Sequence, residues 1–355
     1  GGAGVVGLQT AVSLNELGYE VSVVTCPENA KEVKKKYAQL HFIAIKTHKF
    51  LRPFEIWWKV RALLNDADLI ILNDGVAKRF GAYCLTESQL QRSVLYLHGQ
   101  EVPNIIEHPN LKFWISGYRD KFLRLIEKVG SIVAVSQSLR QEFMDSPDCS
   151  AQASKIEVIY NGYDPENFKK VPTTIREDLN IPKSADVLIS VSRIVREKGY
   201  ARMLDVFLKL HHHGSKYHWI VVGDGVFLSE FKELAAKSGM KSFIHFMGGI
   251  QHDEMAKCLS GADVFWLLSE YYESLGNVYF EANACGIPSI GPRRGGVVEA
   301  IEDKVTGFLV ETSEECYQIL IQRKWKECDS SQFGAHLRKF NLKFSLEHAR
   351  FIRKS

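Results

Sequence analysis

The stretch "SEYYESLGNVYFEANACGIPSIGPRRGG", residues 269–296, contains the pattern from which the fold of this chain is predicted. It overlaps the end of the apolar run "ADVFWLLS" (262–269) and contains a glycine-bearing turn, a helical pattern over 277–286 and a second short run, "PSIGP" (288–292). Gly286 is a typical helix stop, and the helix N-terminus after Gly276 is suited to bind a phosphate. Apolar runs joined by a helix predict neighbouring parallel strands in a sheet that is covered on both faces.

The same alternation of apolar runs and helical patterns extends along the rest of the chain. Runs such as "SVLYLHG" (93–99), "SIVAVS" (131–136) and "HWIVVGDG" (218–225) are separated by patterns such as "LSEFKELAAKSG" (228–239). About five strands precede residue 165 and about five follow residue 185. The polar, proline-containing stretch 164–184 is the best candidate for a linker. The sequence therefore predicts an α/β fold with two Rossmann-like, doubly wound parallel-sheet domains.

Length, charge and cysteine usage restrict the class of protein. A chain of 355 residues is too long for one ordinary core, which favours two domains. The net charge of +3 predicts no bulk attraction to nucleic acid, so no nucleic-acid partner is expected. The seven cysteines include no C-x-x-C pair, which fits a reducing cytosol. No apolar run approaches the roughly 20 residues of a membrane span, so a cytoplasmic protein is predicted.

The opening "GGAGVVG" (1–7) admits a different interpretation. Gly2, Gly4 and Gly7 have the G-x-G-x-x-G spacing of an NAD- or FAD-dependent oxidoreductase. That class needs an acidic residue at the end of the next strand, where Thr25 and Cys26 stand instead. We therefore interpret the spacing as coincidental and expect a glycine turn leading into an amphipathic helix. A strand is expected before this turn, and since no residue precedes position 1, that first strand is expected to be absent from the chain.

Four charged residues in the second half predict the chemistry of a ligand. Arg193 and Lys198, in "SRIVREKGY" (192–200), follow a predicted strand, where two cations can hold a diphosphate. Glu281 lies one turn into the helix after Gly276 and can accept two hydroxyl hydrogen bonds from a ribose. Glu273, before the turn, can do the same for another polyol. A nucleotide sugar combines these groups; the alternative is an exposed charge cluster with two solvated glutamates.

These motifs carry a family resemblance. "SRIVREKG", "VVGDG", "FMGGI" and the stretch 262–310 resemble the donor half of the retaining glycosyltransferases of family 4, which have the GT-B fold. The similarity extends to "VIYNGYDPENF" (158–168), "AVSQSLRQEF" (134–143), "LYLHGQE" (95–101) and the opening "GGAGVVGLQTAVSLNELGYEV", and so covers most of the chain. Two positions depart from the family pattern: Ser192 replaces a glycine and Leu275 an aromatic residue.

The resemblance implies a role for each charged residue. Arg193 and Lys198 would neutralise the donor diphosphate as it leaves, Glu281 would hold the ribose, and Glu273 would hold the transferred sugar near its 3- and 4-hydroxyls. His98, at a strand end of the first domain, would face the sugar; a lone histidine there is otherwise a structural residue. The catalytic residues implied are thus Arg193, Lys198, Glu273 and His98.

The resemblance also implies a domain plan and further donor contacts. The N-terminal acceptor domain would span 1–170 and the C-terminal donor domain 171–335, facing it across a cleft, with a helix in 336–355 crossing back to the first. The opening glycines Gly1, Gly2 and Gly4 would lie on the floor of that cleft. The donor-binding positions implied are Ser274, Leu275, Gly276, Asn277, Val278, Gly248, Gly249, Ile250, Gly2 and Gly4.

The reaction implied is transfer of a hexose with retention to a hydroxyl of a glycan or lipid-linked acceptor. A glycine–asparagine pair after this glutamate is found in some relatives that use UDP-sugars, so the resemblance favours a UDP-sugar. Only Asp74 and Glu101 stand as carboxylates near strand ends of the first domain, so we favour a front-face route over a protein nucleophile. No convincing D-x-D motif stands at a strand end, so we expect no essential metal and no cofactor. The alternatives are a non-catalytic sugar-nucleotide-binding protein and a GT-B epimerase or phosphorylase.

Two stretches of the first domain are both aromatic and basic. They are "KFLRPFEIWWKVRALL" (49–64) and "KFWISGYRDKFLRLIEK" (112–128). Such helices can lie on an anionic membrane surface, which would give peripheral access to a lipid-linked acceptor. The alternative, favoured by the sequence alone, is that their aromatic faces pack on the sheet.

Overall fold

The computed structural model describes residues 2–25, 37–45, 52–99, 101–251 and 254–352 of the chain. The chain divides into two compact units, the first comprising Gly1–Gly162 and Asn341–Ser355 and the second Tyr163–Phe340. Every strand pairing in the described residues is parallel, as the alternating pattern predicts. The α/β class with two sheet-containing units is therefore confirmed. The observed junctions are at 162/163 and 340/341. They lie eight residues before and five residues after the boundaries predicted from the sequence, 170/171 and 335/336.

The first unit contains two parallel sheets, of two and four strands, in the orders β1-β2 and β3-β4-β5-β6. Its strands are β1 (Ser22–Thr25), β2 (His41–Ala44), β3 (Ile70–Leu72), β4 (Ser93–Leu97), β5 (Ser131–Ala134) and β6 (Ile156–Val158). Its helices are α1 (Gly2–Glu16), α2 (Arg52–Asp66), α3 (Gly75–Cys84), α4 (Glu87–Gln91), α5 (Leu111–Ile115), α6 (Tyr118–Lys128), α7 (Gln137–Asp145) and, from the C-terminal segment, the last helix Leu342–Glu347. A π-helical turn spans Val102–Glu107.

The second unit has one six-stranded sheet in the order β12-β11-β10-β7-β8-β9. Its strands are β7 (Asp186–Val191), β8 (Tyr217–Val222), β9 (Ile244–Gly248), β10 (Val264–Trp266), β11 (Ser289–Pro292) and β12 (Gly307–Val310). Its helices are α8 (Ile175–Asp178), α9 (Tyr200–His212), α10 (Leu228–Lys237), α11 (Met255–Ser260), α12 (Asn277–Ala284), α13 (Val297–Ala300), α14 (Ser313–Ile321) and α15 (Phe333–Leu337). The last helix of the chain, Leu342–Glu347, is α16.

The central strands are buried on both faces, which explains their continuous apolar sequences. All five residues of β4 and all six of β7 and β8 are buried. In the second unit Trp219 and Trp266 pack edge to face with ring centroids 4.8 Å apart, a preferred aromatic geometry. Apolar burial of this extent is the main favourable contribution to folding of such a unit.

The C-terminal segment belongs to the core of the first unit. Leu342 and Leu346 of α16 pack in one buried cluster with Leu14 of α1. Lys343 forms an ion pair with Glu16 at 3.2 Å. The backbone N–H of Arg350 donates to Glu157 at 3.1 Å, which ties the segment to the end strand β6.

Three sequence-based expectations need correction. The strands β2 and β12 have only four residues each, and they were not predicted. Part of the expected linker 164–184 is packed in the second unit, because Ile175 is buried and Arg176 pairs with Asp263 at 2.9 Å. The expected turn at Gly2 and Gly4 is absent from the described residues, since both lie in the first turn of α1; Gly1 lies outside the described residues.

Gly7 has a packing role within α1. A Cβ at this position would lie 2.6 Å from Nδ2 of Asn73, closer than any side-chain carbon can approach. The glycine thus makes room for a side chain at the end of β3. This contact accounts for the third glycine of the opening pattern without a dinucleotide.

Candidate functional site

The first part of the candidate site follows β7 in the second unit. Arg193 is exposed and makes no ion pair within the described residues. The chain then forms a 3₁₀ turn, Arg196–Lys198, and enters α9 through Gly199 with φ of +76°. A Cβ at Gly199 would lie 2.1 Å from the backbone oxygen of Leu268, so only glycine fits this close approach of two backbones.

Lys198 and Glu273 form an ion pair. The Lys198 ammonium contacts the Glu273 carboxylate, and each side chain is 13% exposed. The ammonium also lies 5.5 Å from the centre of the Tyr271 ring, within the range of a cation–π interaction. The backbone N–H of Tyr271 donates to the oxygen of Glu197 at 3.0 Å, which joins the two loops. The structure therefore brings together two residues that lie 75 positions apart in the chain.

The turn before α12 depends on glycine. Gly276 has φ of +82°, and a Cβ there would lie 2.7 Å from the ring of Tyr279. Helix α12 begins at Asn277 and ends at Ala284, with Gly286 at φ of +79° after it, close to the range 277–286 predicted from the sequence. The turn thus leads into a helix N-terminus where the backbone N–H groups have no helical partner.

The residues of this turn differ in their accessibility. Ser274, Asn277 and Val278 are half-buried. Leu275 is only 1% exposed, so its side chain belongs to the core and is not available to a ligand. Its expected donor-binding role is therefore restricted to its backbone. The physical reason is that burying an apolar side chain in the core is more favourable than leaving it exposed to water.

Glu281 is the unusual group of α12. It is 8% exposed, and no described residue forms a hydrogen bond or an ion pair with its carboxyl group. Burial raises the pKa of Glu281 to about 7. A buried carboxyl group without a protein partner is energetically costly, and such groups are concentrated at functional sites.

A second loop supports the Glu273 segment and was not assigned a role from the sequence. The N–H of Gly296 donates to the oxygen of Glu273 at 2.8 Å, and a Cβ on Gly296 would lie 2.1 Å from the oxygen of Ser274. The guanidinium of Arg294 donates to the oxygen of Ser269. The signal was present in "RRGG" (293–296), because paired glycines after a strand often mark a close backbone approach.

The glycines after β9 border open space. A Cβ at Gly248 or Gly249 would meet no atom within 4 Å, and Ile250 is half-buried. Gly248 has φ of +69° and accepts a hydrogen bond from the N–H of Gly223 at 2.8 Å. This segment is thus accessible to a planar group. It follows β9, which is the edge strand of the sheet on the side opposite β12.

In the first unit, His98 stands directly after β4 and is hydrogen-bonded to Asn73. His98 Nε2 lies 3.0 Å from Asn73 Oδ1, and the pKa of His98 is lowered to about 4 by burial and by the charge of Lys78. Among the opening glycines, Gly4 is exposed, and a Cβ added to it would meet no atom within 4 Å. Within the described residues no group of three or more His, Cys, Asp or Glu side chains is arranged to hold a metal ion.

Comparison with known proteins defines the class. The fold is similar to that of the Anabaena protein HepE, solved in complex with UDP and glucose, with a TM-score of 0.79 over 100% of this chain and 96% of that chain at 19% identity. It is also similar to sucrose-phosphate synthase from Thermosynechococcus elongatus, with a TM-score of 0.76 over 98% and 91% of the two chains at 19% identity. The chain thus has the GT-B fold of glycosyltransferases.

Sequence comparison then gives the family. The family model "Glycosyltransferase Family 4" matches residues 1–167, and the model "Glycosyl transferases group 1" matches residues 172–321. The chain is 26% identical to N-acetyl-alpha-D-glucosaminyl L-malate synthase of Bacillus anthracis, over 88% of this chain and 81% of that protein. It is 25% identical to lipopolysaccharide 1,2-N-acetylglucosaminetransferase of Salmonella typhimurium, over 76% and 69%. The chain belongs to glycosyltransferase family 4, which confirms the resemblance and leaves no support for the oxidoreductase alternative.

Proposed function

We propose that this protein is a retaining hexosyltransferase that uses a nucleoside diphosphate sugar, with UDP as the favoured nucleotide. The observation that carries the proposal is the buried carboxyl group of Glu281, which has no partner among the described residues. Ribose hydroxyls would supply the hydrogen bonds that it lacks. The neutral hydroxyls would also favour its ionised form, because hydrogen bonds to a carboxylate lower its pKa.

The Lys198–Glu273 pair supports the same proposal. A lysine ammonium has three N–H donors, so Lys198 can contact Glu273 and a diphosphate oxygen together. Glu273 keeps acceptor sites for the hydroxyls of the transferred sugar. The exposed guanidinium of Arg193, in the same loop as Lys198, would also hold the diphosphate, and the main-chain N–H groups at Asn277 and Val278 would bind the distal phosphate or the sugar. The base would lie along the backbone of Gly248, Gly249 and Ile250.

The transfer proceeds without a protein nucleophile and without a metal in this proposal. Asp74 caps α3, accepting from the N–H groups of Val76 and Ala77 at 2.9 and 2.8 Å, and Glu101 is buried against Lys78. The bond from the anomeric carbon to the phosphate oxygen breaks as the bond to the acceptor oxygen forms on the same face. The acceptor's proton passes to the leaving phosphate. Catalysis then depends on positioning and on the cations Arg193 and Lys198.

A ligand screen tests the donor. Melting temperatures would be measured with UDP-, GDP- and ADP-sugars and with NAD, each in excess. A ligand at 100 times its dissociation constant adds about 2.7 kcal/mol of stability, which is a shift of a few degrees. We expect the largest shift with a UDP-sugar and none with NAD; the absence of a shift with every nucleotide sugar contradicts the proposal. Donor binding without turnover would instead favour the non-catalytic alternative.

The acceptor is proposed to be a glycan or lipid-linked hydroxyl compound bound by the first unit, with peripheral membrane contact at the cytoplasmic face. Three of the aromatic side chains are exposed, Phe54 to 76%, Trp58 to 64% and Trp114 to 70%, whereas Tyr118 and Phe122 are buried, as the alternative expected. The Arg61 guanidinium stacks on Trp58 at 4.1 Å. Residues 49–51 and the Arg52 side chain lie outside the described part of the chain. In the described ranges no helix is long and apolar enough to cross a membrane.

Vesicle flotation tests this contact. We expect binding to vesicles with anionic lipid and little binding to neutral ones, because each basic residue near an anionic surface adds about 1 kcal/mol. Replacing Trp114 and Ile115 by serine removes two exposed apolar side chains and is expected to weaken binding on the order of tenfold or more. Val226→Ser, at a 94% exposed position of the second unit, is the control. Equal flotation of wild type and the double variant removes the proposal.

A further inference from the structure

The carboxyl edge of the four-stranded sheet in the first unit carries a partly buried polar network that the sequence did not reveal. It joins Asn73, after β3, to His98, after β4, and to the backbone oxygen of Ala3 in α1. A second part, Lys78 and Glu101, holds the loop that follows His98. None of these contacts belongs to the function proposed above, and His98 was given a role only from the family resemblance.

The amide of Asn73 has a defined orientation. Its Nδ2 donates to the backbone oxygen of Ala3 at 2.7 Å, and a carbonyl oxygen can only accept. The amide oxygen Oδ1 therefore faces His98 Nε2, at 3.0 Å. Because an amide oxygen also can only accept, the proton of the neutral imidazole lies on Nε2. Nδ1 then carries the lone pair and is the acceptor nitrogen of the ring.

The charges around His98 keep the ring neutral. The groups that face it are Lys78 on α3, Glu101 in its own loop and Asp74 at the start of α3. Burial and the Lys78 charge lower the pKa of His98 to about 4, and the two carboxylates and a hydrogen bond to the backbone of Asn73 oppose that effect. At neutral pH the ring is thus unprotonated on one nitrogen, and the contact with Asn73 Oδ1 favours the proton on Nε2.

The buried ion pair holds the loop of His98. The side chains of Lys78 and Glu101 are 3% and 8% exposed. The Glu101 carboxylate accepts the backbone N–H of His98 at 3.0 Å and that of Gly99 at 2.8 Å, besides contacting Lys78. Burial alone would raise the pKa of Glu101, but the Lys78 charge and these hydrogen bonds lower it. A carboxylate with this many donors is fixed, and it fixes the backbone from which His98 extends.

We propose that Asn73 and the Lys78–Glu101 pair are positioning residues for His98, with Asn73 holding the ring as its Nε2–H tautomer. The inference rests on the proposed function only for its consequence, which is that Nδ1 is the ring nitrogen able to accept a hydrogen bond from a substrate hydroxyl. The tautomer itself is a property of the ligand-free protein. Gly7 of α1 is part of the same arrangement, since a Cβ there would collide with Asn73 Nδ2.

The tautomer can be measured without any substrate. Long-range proton–nitrogen NMR of ¹⁵N-histidine-labelled protein at pH 7, with His98 assigned from a His98→Gln variant, is expected to show a protonated Nε2 and an unprotonated Nδ1. Asn73→Ala is expected to give a mixture of the two tautomers. Asn15→Ala, which removes a half-buried asparagine of α1 that is bonded to the backbone of Tyr19, is the control and is expected to leave the His98 signals unchanged. A wild-type ring protonated on Nδ1, or a single unchanged tautomer in Asn73→Ala, overturns the inference.

The ion pair has its own measurement. In the wild type the amide protons of His98 and Gly99 are expected to exchange slowly with solvent, and in Glu101→Gln on the order of tenfold faster, since a hydrogen bond to a charged group is lost. Rapid exchange of both amides in the wild type contradicts the role of Glu101 even if the variant fails to fold.

The consequence for transfer is measured separately. Asn73→Ala is expected to lower kcat about tenfold, the loss of roughly one hydrogen bond, with the donor KM little changed. An unchanged kcat with mixed tautomers refutes the functional consequence. If no transfer occurs at all, the NMR result still decides the tautomer, so the two proposals fail in different measurements.

Discussion

Replacing Lys198 by alanine is expected to lower kcat about 10²–10³-fold while the protein remains folded. The ammonium lies at a half-buried position, 13% exposed, where a charge interacts more strongly with developing negative charge than it would in water. In the proposed reaction that charge develops on the leaving diphosphate. The variant also leaves the Glu273 carboxylate without its cation beside an anionic ligand, so part of the loss is repulsion.

Two further variants separate these contributions. The double variant Lys198→Ala/Glu273→Gln removes the repulsion but does not restore the cation, so its kcat is expected to stay low. Arg196→Ala is the matched control: Arg196 lies on the same 3₁₀ turn, is 67% exposed and pairs with Glu230, and a surface pair of this kind contributes about 0–1 kcal/mol. Its kcat is expected to be that of the wild type. A folded Lys198→Ala protein with wild-type kcat would refute the assignment. An equal loss of kcat in Lys198→Ala and Arg196→Ala would refute it as well.

Replacing Glu281 by glutamine is expected to change stability and donor binding in opposite directions. Burial raises the pKa of Glu281 from 4.5 to about 7, so the folded protein binds this proton more tightly than the unfolded chain. The stability that results is complete below pH 4.5 and is lost as the pH rises through 7, a cost of about 3 kcal/mol at 1.36 kcal/mol per unit. Glutamine is uncharged at every pH, so the variant is expected to be more stable than the wild type at pH 8 and no more stable at pH 4.

Donor affinity is expected to fall in the same variant. A carboxylate can accept two hydroxyl hydrogen bonds from a ribose, and a hydrogen bond to a charged group contributes about 1.5–3 kcal/mol. The dissociation constant for UDP is therefore expected to rise about 10–100-fold at pH 8. In the wild type, binding should weaken as the pH falls from 8 to 6, because the carboxyl group takes up a proton. The variant should show little of this pH dependence.

Urea unfolding at pH 8 and pH 4, with calorimetric titration of UDP from pH 6 to 8, measures both effects. Glu233→Gln is the control, since its carboxylate is 70% exposed on α10 and should alter neither quantity. Loss of stability at pH 8 in Glu281→Gln would mean that the carboxylate has a protein partner after all. Unchanged UDP affinity would remove Glu281 from the proposed ribose site.

Several features were predictable because they depend on local pattern. The helix after Gly276 was predicted within two residues of its observed end, because the turn glycine before it and Gly286 after it both need a positive φ. The parallel strands were predictable because strands buried on both faces require continuous apolar sequence. The strand β12 was missed, since its apolar run, 308–310, has only three residues.

Pairings over long distances were not predictable. Lys198 and Glu273 were assigned to different parts of a ligand, and only the close approach of their loops, fixed at Gly199 and Gly296, makes them an ion pair. The burial of Leu275 likewise depends on the packing of the turn, not on its neighbours in the chain.

The sequence by itself determined the α/β class, the two tandem units and the family, because periodicity and ordered motifs are properties of the chain. Only the tertiary structure decided the state of each site group: Glu281 buried and unpartnered among the described residues, Lys198 paired with Glu273, and His98 held by Asn73. The physical reason is that burial and electrostatic interactions depend on distances in space. Residues that the chain keeps far apart are brought within those distances only when the sheets form.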